Sequence, residues 1–225
     1  MAAGRRERRE MRVSFAALLR IRDDDRHVLL HSPSRPGSFN PPGGVYKYFR
    51  PAARILDALG YRADRAAPLA EDMRSDLRGF LPASSLGAFQ RWFSTGAYRE
   101  DATECLRREL AEELAESDLH HLVPDTFGAR FEHVRTVVED VSARPGRAYR
   151  QVRHLEVYEP ILNGDAIARL CRSLVASGMD EGVPAVICAS SDQIAHGRSG
   201  AALIGGHAAY LIGDRRFHAD LPMVR

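Results

Sequence analysis

Three glutamates in one helical segment are the residues of this chain best suited to chemistry. Residues 101–116, DATECLRRELAEELAE, lack Gly and Pro and are rich in strong helix formers, so they predict a helix. Glu109, Glu112 and Glu113 stand at i, i+3 and i+4, which places their carboxylates on one face. Like charges at this spacing repel, and oxygen ligands suit Mg²⁺ or Mn²⁺ better than zinc. A bound divalent cation is one explanation of the pattern, and a solvated Glu/Arg surface is the other.

The residues around these glutamates extend the pattern. Glu100 is followed by seven residues and then by Arg108-Glu109-Leu110-Ala111-Glu112-Glu113, and the turn Pro42-Gly43-Gly44 lies upstream. This arrangement resembles the Nudix box, Gx5Ex7REUxEExGU, where U is aliphatic. Ser94, Ala115 and Glu116 depart from it, at the two glycines and the last aliphatic position. The glycine turn of typical members is present but displaced upstream, so the box is split.

The resemblance implies an α/β protein, a Nudix-type α/β/α sandwich with a mixed sheet and a helical insertion. It also implies a pyrophosphohydrolase that cleaves a nucleotide-linked diphosphate. In such an enzyme Arg108, Glu109, Glu112 and Glu113 are the catalytic residues. The three glutamates are the ligands of Mg²⁺ or Mn²⁺, and Arg108 and Glu100 orient them. For Arg108 and Glu100 a structural ion pair is the alternative interpretation.

The substrate contacts that we expect lie near the glycine turn. Without a Cβ, Gly43 and Gly44 let backbone N–H groups approach a phosphate. Lys47 follows the turn and could contact a phosphate too, although an exposed loop lysine is the alternative. Nudix proteins often place another acid outside the box. Glu181, just before PAVICAS, is the best candidate for that supporting role, with Glu139 and Asp140 behind it.

The segment PPGGVYKY, an insertion containing DLRGFLP and RWF, and the split box together resemble the SMODS-associated NUDIX-type domains. Those domains are found beside bacterial nucleotide-second-messenger defence systems. The resemblance implies a nucleotide-type small molecule as ligand, a role in antiviral defence and a nucleotidyltransferase-system partner. A non-catalytic nucleotide-sensing module is the alternative function, because the box has lost both glycines.

The remaining sequence predicts the elements that position these residues. We expect a flexible basic N-terminus over 1–11 and a single domain over 12–225, with a helical insertion at about 45–99. Apolar runs at 12–20 and 26–31 predict a strand pair, whereas the prolines and glycines of 32–44 predict an irregular loop. Further along we expect a long hairpin from 127–140 and 149–159, a helix at 165–176 and a strand at 184–190.

Composition excludes several classes of protein. The 225 residues carry a formal net charge of +2, so neither a histone-like binder nor a polyanionic tail is indicated. Lys47 is the only lysine. We find no strong nucleic-acid signal. The three cysteines lack zinc or disulfide spacing, which favours a reducing cytoplasm. No apolar run is long enough for a membrane span, so we expect no membrane partner.

Overall fold

A computed structural model of the chain describes residues 10–64, 74–141 and 149–219. Most of the N-terminus that we expected to be flexible lies outside these ranges, and the first strand begins at Glu10. The expected hairpin turn around residues 143–146 lies outside them as well. None of the helices in the described ranges combines the length and hydrophobicity that a membrane span needs.

The chain mixes strands and helices, as the sequence predicted for an α/β protein. The strands are β1 Glu10–Leu19, β2 Arg22–Asp23, β3 Arg26–His31, β4 Ser38–Asn40, β5 Gly43–Val45, β6 Lys47–Phe49, β7 Arg62–Ala63, β8 Arg74–Asp76, β9 Arg78–Pro82, β10 Phe131–Val141, β11 Arg150–Pro160, β12 Val186–Ser190, β13 Arg198–Ser199 and β14 Ala202–Ile204. The α-helices are α1 Ala53–Ala58, α2 Leu86–Thr95, α3 Ala102–Glu116, α4 Asp165–Met179, α5 Ser191–His196 and α6 Ala209–Ile212. Short 3-10 helices occupy Arg50–Ala52, Ala83–Ser85, His120–Thr126 and Gly206–Ala208.

The chain divides into two units. The first comprises residues 1–16, 45–101 and 138–155, and the second comprises 17–44, 102–137 and 156–225. The division falls within β1, β10 and β11. The strand order β10-β11-β1-β9-β7 defines one sheet, in which β5 also pairs with β1. The order β12-β3-β4-β14-β13, with β2 beside β3, defines another sheet, which belongs to the second unit.

An aromatic cluster fills the core of the first unit. The rings of Phe89 and Phe93, both on α2, lie 5.1 and 4.5 Å from the ring of Phe15. The imidazole of His154 stacks on Phe15 at 4.7 Å. Offset and edge-to-face ring pairs of this kind stabilise a core beyond the burial of their area. The contacts explain why α2 packs through Phe89 and Phe93.

In the second unit, α4 packs against β12 and β3, and α3 packs against the 3-10 helix His120–Thr126. The segments that became α3, α4, β3, β12 and the β10–β11 hairpin match the sequence predictions closely. Each carries a local signal, either strong helix propensity or a short apolar run.

Two segment predictions were wrong in part. The expected loop 32–44 contains β4, which pairs with β3 on one side and β14 on the other, as well as the first residues of β5. Residues 45–99 contain α1 and α2 as expected, but also short strands. Within this predicted helical insertion, β9 pairs antiparallel with β1 instead. In both cases hydrogen bonds to distant strands outweigh the local preference.

Candidate functional site

Helix α3 presents the predicted glutamates because its opposite side is apolar. Cys105, Leu106, Leu110 and Leu114 are buried, at the three- and four-residue spacing of an amphipathic helix. Burial of that side fixes the rotation of the helix, so Glu109, Glu112 and Glu113 project from the other faces. Glu112 is half exposed, whereas only 18% of the Glu109 side chain is exposed.

The positions where the split box departs from the Nudix pattern have a local explanation. Ser94 lies inside α2 and its hydroxyl donates to the carbonyl of Gln90, so that position is helical rather than a turn. Ala115 lies inside α3, and the chain turns only at Asp118, whose φ is 58°. Aspartate tolerates this left-handed conformation better than most residues. Neither Ser94 nor Ala115 therefore sits where the backbone requires glycine.

Gly43 lies against the end of the glutamate cluster. Its backbone N–H donates to Glu113 Oε2 at 3.0 Å, across 70 residues of sequence. Its φ is +118°, and a Cβ at this position would lie 2.3 Å from the carbonyl oxygen of Ala17. Only glycine fits here without moving the backbone. In this arrangement the N–H is bonded to the carboxylate, so its approach to a phosphate stays a prediction.

Gly44 leaves the space that the Glu109 carboxylate occupies. A Cβ on Gly44 would lie 2.1 to 2.4 Å from the carboxyl atoms of Glu109. The carboxylate thus packs directly on the bare Cα of the glycine. The displaced turn Gly43-Gly44 therefore contacts two of the three box glutamates in space, although it is far from them in sequence.

Arg108 contacts two carboxylates from within the same helix. Its Nη1 lies 2.7 Å from Glu109 Oε1 and 3.3 Å from Glu112 Oε2, and only 12% of its side chain is exposed. A partly buried guanidinium that bonds two carboxylates restricts the rotamers of both. The geometry agrees with the predicted orienting role and equally with a structural ion pair.

The cluster carries more negative than positive charge. One arginine and three glutamates leave two negative charges, and Glu116 adds a further negative charge nearby. Burial raises the pKa of Glu113 well above its ordinary value, the hydrogen bond from Gly43 opposes this, and Glu109, Glu116 and Glu112 raise it further. Sequence reasoning missed Glu116 as part of this field, although its i+3 spacing from Glu113 was visible.

The donor set fits a hard divalent cation in its chemistry. It offers carboxylate oxygens, an excess of two negative charges and a glycine surface with no side chain in the way. Within residues 10–64, 74–141 and 149–219, however, no three His, Cys, Asp or Glu side chains already converge as a metal-binding group. A bound cation would therefore require the carboxylates to turn toward one another.

Lys47 and Glu100 form a second set, which belongs to the first unit. The Lys47 N–H donates to Glu100 Oε2 at 2.9 Å, and the Glu100 N–H donates to the Lys47 carbonyl oxygen at 2.9 Å. We call this reciprocal pair of hydrogen bonds the Lys47–Glu100 clip. Glu100 is completely buried. Lys47 takes part in this clip through its backbone. Its side chain is partly exposed, and its contact with a phosphate stays a prediction.

We expect Glu100→Ala to destabilise the protein by about 1 to 3 kcal/mol, because it leaves the buried Lys47 N–H without its acceptor. Glu100→Gln keeps an acceptor oxygen and should recover part of the loss. Lys47→Ala should destabilise the protein less than Glu100→Ala does, since the backbone bond survives. Urea denaturation of the three variants measures the order of their free energies of unfolding. Equal stability of Glu100→Ala and Glu100→Gln would contradict the clip.

Glu181 and an acidic cavity belong to the second unit as well, in segments that contain no box residue. Glu181 is exposed in the turn between α4 and β12, and no described residue hydrogen-bonds to it, so its supporting role stays a prediction. A cavity of about 360 Å³ is lined by Asp23, Asp24, Asp25, Arg26, Val175, Met179 and Ser190. It holds none of the box residues. The candidate site is therefore identified by the glutamates of α3 and their contacts with the glycine turn, and not by this acidic cavity.

A comparison with protein families matches residues 10–212 to the SMODS-associated NUDIX domain. Comparisons with curated proteins and with solved structures found no match. The matched range contains the whole of α3, the Gly43-Gly44 turn and the Lys47–Glu100 clip. Because the match extends over most of the chain and agrees with its α/β elements and its split box, the protein belongs to the SMODS-associated NUDIX domain family.

Proposed function

We propose that this protein is a Mg²⁺- or Mn²⁺-dependent pyrophosphohydrolase that cleaves a nucleotide-linked diphosphate. The observation that carries the proposal is the seating of two box glutamates on the glycine turn. Glu113 accepts the Gly43 N–H, and Glu109 packs on Gly44, although the insertion separates turn and helix in sequence. A merely solvated glutamate surface would not need two glycines against it.

The residues of α3 have distinct tasks in this reaction. Glu109, Glu112 and Glu113 would hold the cation, and Arg108 would keep the first two in register through its bonds at 2.7 and 3.3 Å. The cation, when bound, would offset phosphate charge and lower the pKa of an attacking water. The Gly43 N–H fixes the orientation of Glu113, whose charged form is otherwise disfavoured by burial.

Membership of the family supports the wider setting that we propose. The ligand is a nucleotide-type small molecule, and the partner is a nucleotidyltransferase system of bacterial antiviral defence. Three buried, unbridged cysteines favour a cytoplasmic location for this activity. Lys47, which follows the turn in sequence and is partly exposed, is our candidate for a phosphate contact.

A nucleotide-sensing module that does not hydrolyse its ligand is the second candidate function. The observation in its favour is that Arg108 already bonds the carboxylates of Glu109 and Glu112. An internal cation in that position reduces the need for a metal. Such a protein would bind the nucleotide and report it to its partner.

Turnover assays separate the two functions. We would incubate the protein with Mg²⁺ or Mn²⁺ and a panel of dinucleotides, nucleoside diphosphate sugars and cyclic oligonucleotides. The test variant is Glu112→Gln/Glu113→Gln, and the matched control is Glu104→Gln, which removes a charge from the first turn of the same helix. Hydrolysis by the parent and the control that is lost in the double variant supports the enzyme.

Other outcomes are equally informative. Saturable binding of a nucleotide by the parent without any hydrolysis supports the sensing module. Neither binding nor hydrolysis across the panel overturns the nucleotide function. Hydrolysis that persists undiminished in the double variant would place the chemistry away from α3.

A further inference from the structure

Two arginines share one carboxylate at the end of β1, in a group that includes none of the box residues. Arg20 Nε and Arg22 Nε both donate to Glu159 Oε1, at 2.8 and 3.1 Å. Arg20 also donates from Nη1 to the carbonyl oxygen of Leu211 at 3.1 Å. All of these residues belong to the second unit. Two guanidinium charges thus face a single carboxylate.

The guanidinium donors of this pair are only partly used. The Arg20 side chain is 14% exposed, and the Arg22 side chain is 52% exposed. The terminal nitrogens of Arg22 make no hydrogen bond with a described residue. The pair is therefore anchored on one side by Glu159 and open on the other.

A buried histidine adjoins the pair. His27 faces Arg22 directly in the β2–β3 ladder, and side chains of facing residues lie on the same side of a sheet. His27 is 4% exposed, and its Nδ1 has no hydrogen-bond partner among the described residues. A buried imidazole nitrogen without a partner is costly unless something else bonds to it.

We propose that Arg20, Arg22 and His27 form a binding site for a phosphate group, in which Glu159 holds the two guanidinium groups in place. Guanidinium forks match phosphate oxygens in geometry, and the imidazole, on the same side of the sheet as Arg22, adds a donor. The chemistry is that of a phosphate monoester or free phosphate. The site does not depend on the hydrolysis proposed for α3.

The charges around His27 favour binding of an anion. Burial lowers the pKa of His27, Arg20 and Arg22 lower it further, and Asp25 and Glu159 oppose them. The Asp25 carboxylate is already bonded to the hydroxyl of Ser191. A phosphate beside the arginines would add negative charge next to the imidazole, so that His27 could take up a proton and donate to it.

Phosphate titrations at constant ionic strength test the site. We would measure the Kd of inorganic phosphate and of adenosine monophosphate for the parent protein, Arg22→Gln and Glu159→Gln. Arg172→Gln is the matched control, because Arg172 is exposed on α4 and forms no ion pair with a described residue. NMR of the His27 ring in the parent gives a second measurement that needs no variant.

We expect Arg22→Gln to bind inorganic phosphate about ten- to a hundredfold more weakly and Arg172→Gln to bind it like the parent. Glu159→Gln should also bind it more weakly, because an amide holds the two guanidinium groups less firmly than a carboxylate, provided that its circular dichroism matches that of the parent. Saturating phosphate should raise the pKa of His27. Equal affinity in Arg22→Gln and the parent, or a His27 titration that phosphate leaves unmoved, would overturn the proposal. Binding of adenosine monophosphate but not of free phosphate would also overturn it, since the contact would then be to the nucleoside.

Discussion

Glu113→Gln is expected to lower Mn²⁺-dependent turnover at least about 100-fold while making the protein more stable in the presence of EDTA. The first effect follows from the loss of a carboxylate that the Gly43 N–H holds in place. The second follows from charge. Glu113 lies in a field of three other glutamates, and burial raises its pKa well above the ordinary value.

The raised pKa of Glu113 sets the direction in which stability changes with pH. Because the pKa of Glu113 is higher in the folded than in the unfolded protein, the folded state binds the proton more tightly. The stability that this proton contributes is complete below the ordinary pKa of a glutamate and is lost as pH rises through the raised pKa. The Gln side chain of Glu113→Gln has no proton to release, so the variant does not lose this stability as pH rises. Metal-free parent and variant should therefore diverge in Tm as pH rises toward neutrality.

Calorimetry with EDTA at several pH values measures the divergence, and Glu104→Gln serves as the charge-matched control on α3. The idea that function here costs stability would be wrong if Glu113→Gln melted below the parent at neutral pH. Addition of Mn²⁺ should raise the Tm of the parent more than that of the variant, because only the parent keeps all three proposed ligands.

Replacement of each glycine of the turn by alanine is expected to affect a different property, activity for Gly44 and stability for Gly43. Gly44→Ala should cost little stability and much activity, about 100-fold, because its Cβ displaces the Glu109 carboxylate. That carboxylate is the far end of a flexible side chain, so it can move aside cheaply. Its movement, however, breaks the bond to Arg108 and removes a proposed metal ligand.

Gly43→Ala should instead lower the free energy of unfolding by about 3 kcal/mol or more. Its Cβ would meet the backbone oxygen of Ala17 at 2.3 Å, and the φ of +118° disfavours any side chain. Urea denaturation and turnover, measured on both variants, give the comparison. If Gly44→Ala kept full activity, Glu109 would not be a ligand. If it lost as much stability as Gly43→Ala, the distinction between the two contacts would fail.

Local sequence alone determined the elements that carry their own signal. Helix α3 follows from a run of strong helix formers, and the rotation that turns Glu109, Glu112 and Glu113 away from its apolar side follows from apolar residues at three- and four-residue spacing. The strand β3 and the β10–β11 hairpin follow from apolar runs bounded by turn residues. The glutamate spacing and the upstream glycines were also sufficient to indicate the family.

The contacts that make a site of these residues were decided by tertiary structure. Gly43 bonds to Glu113 across 70 residues, and Arg20 reaches Glu159 across 139. In β4, a strand forms amid prolines and glycines because β3 and β14 supply its hydrogen bonds. No local pattern encodes such partners, since the free energy that selects them comes from pairing and burial of segments that meet only when the chain folds.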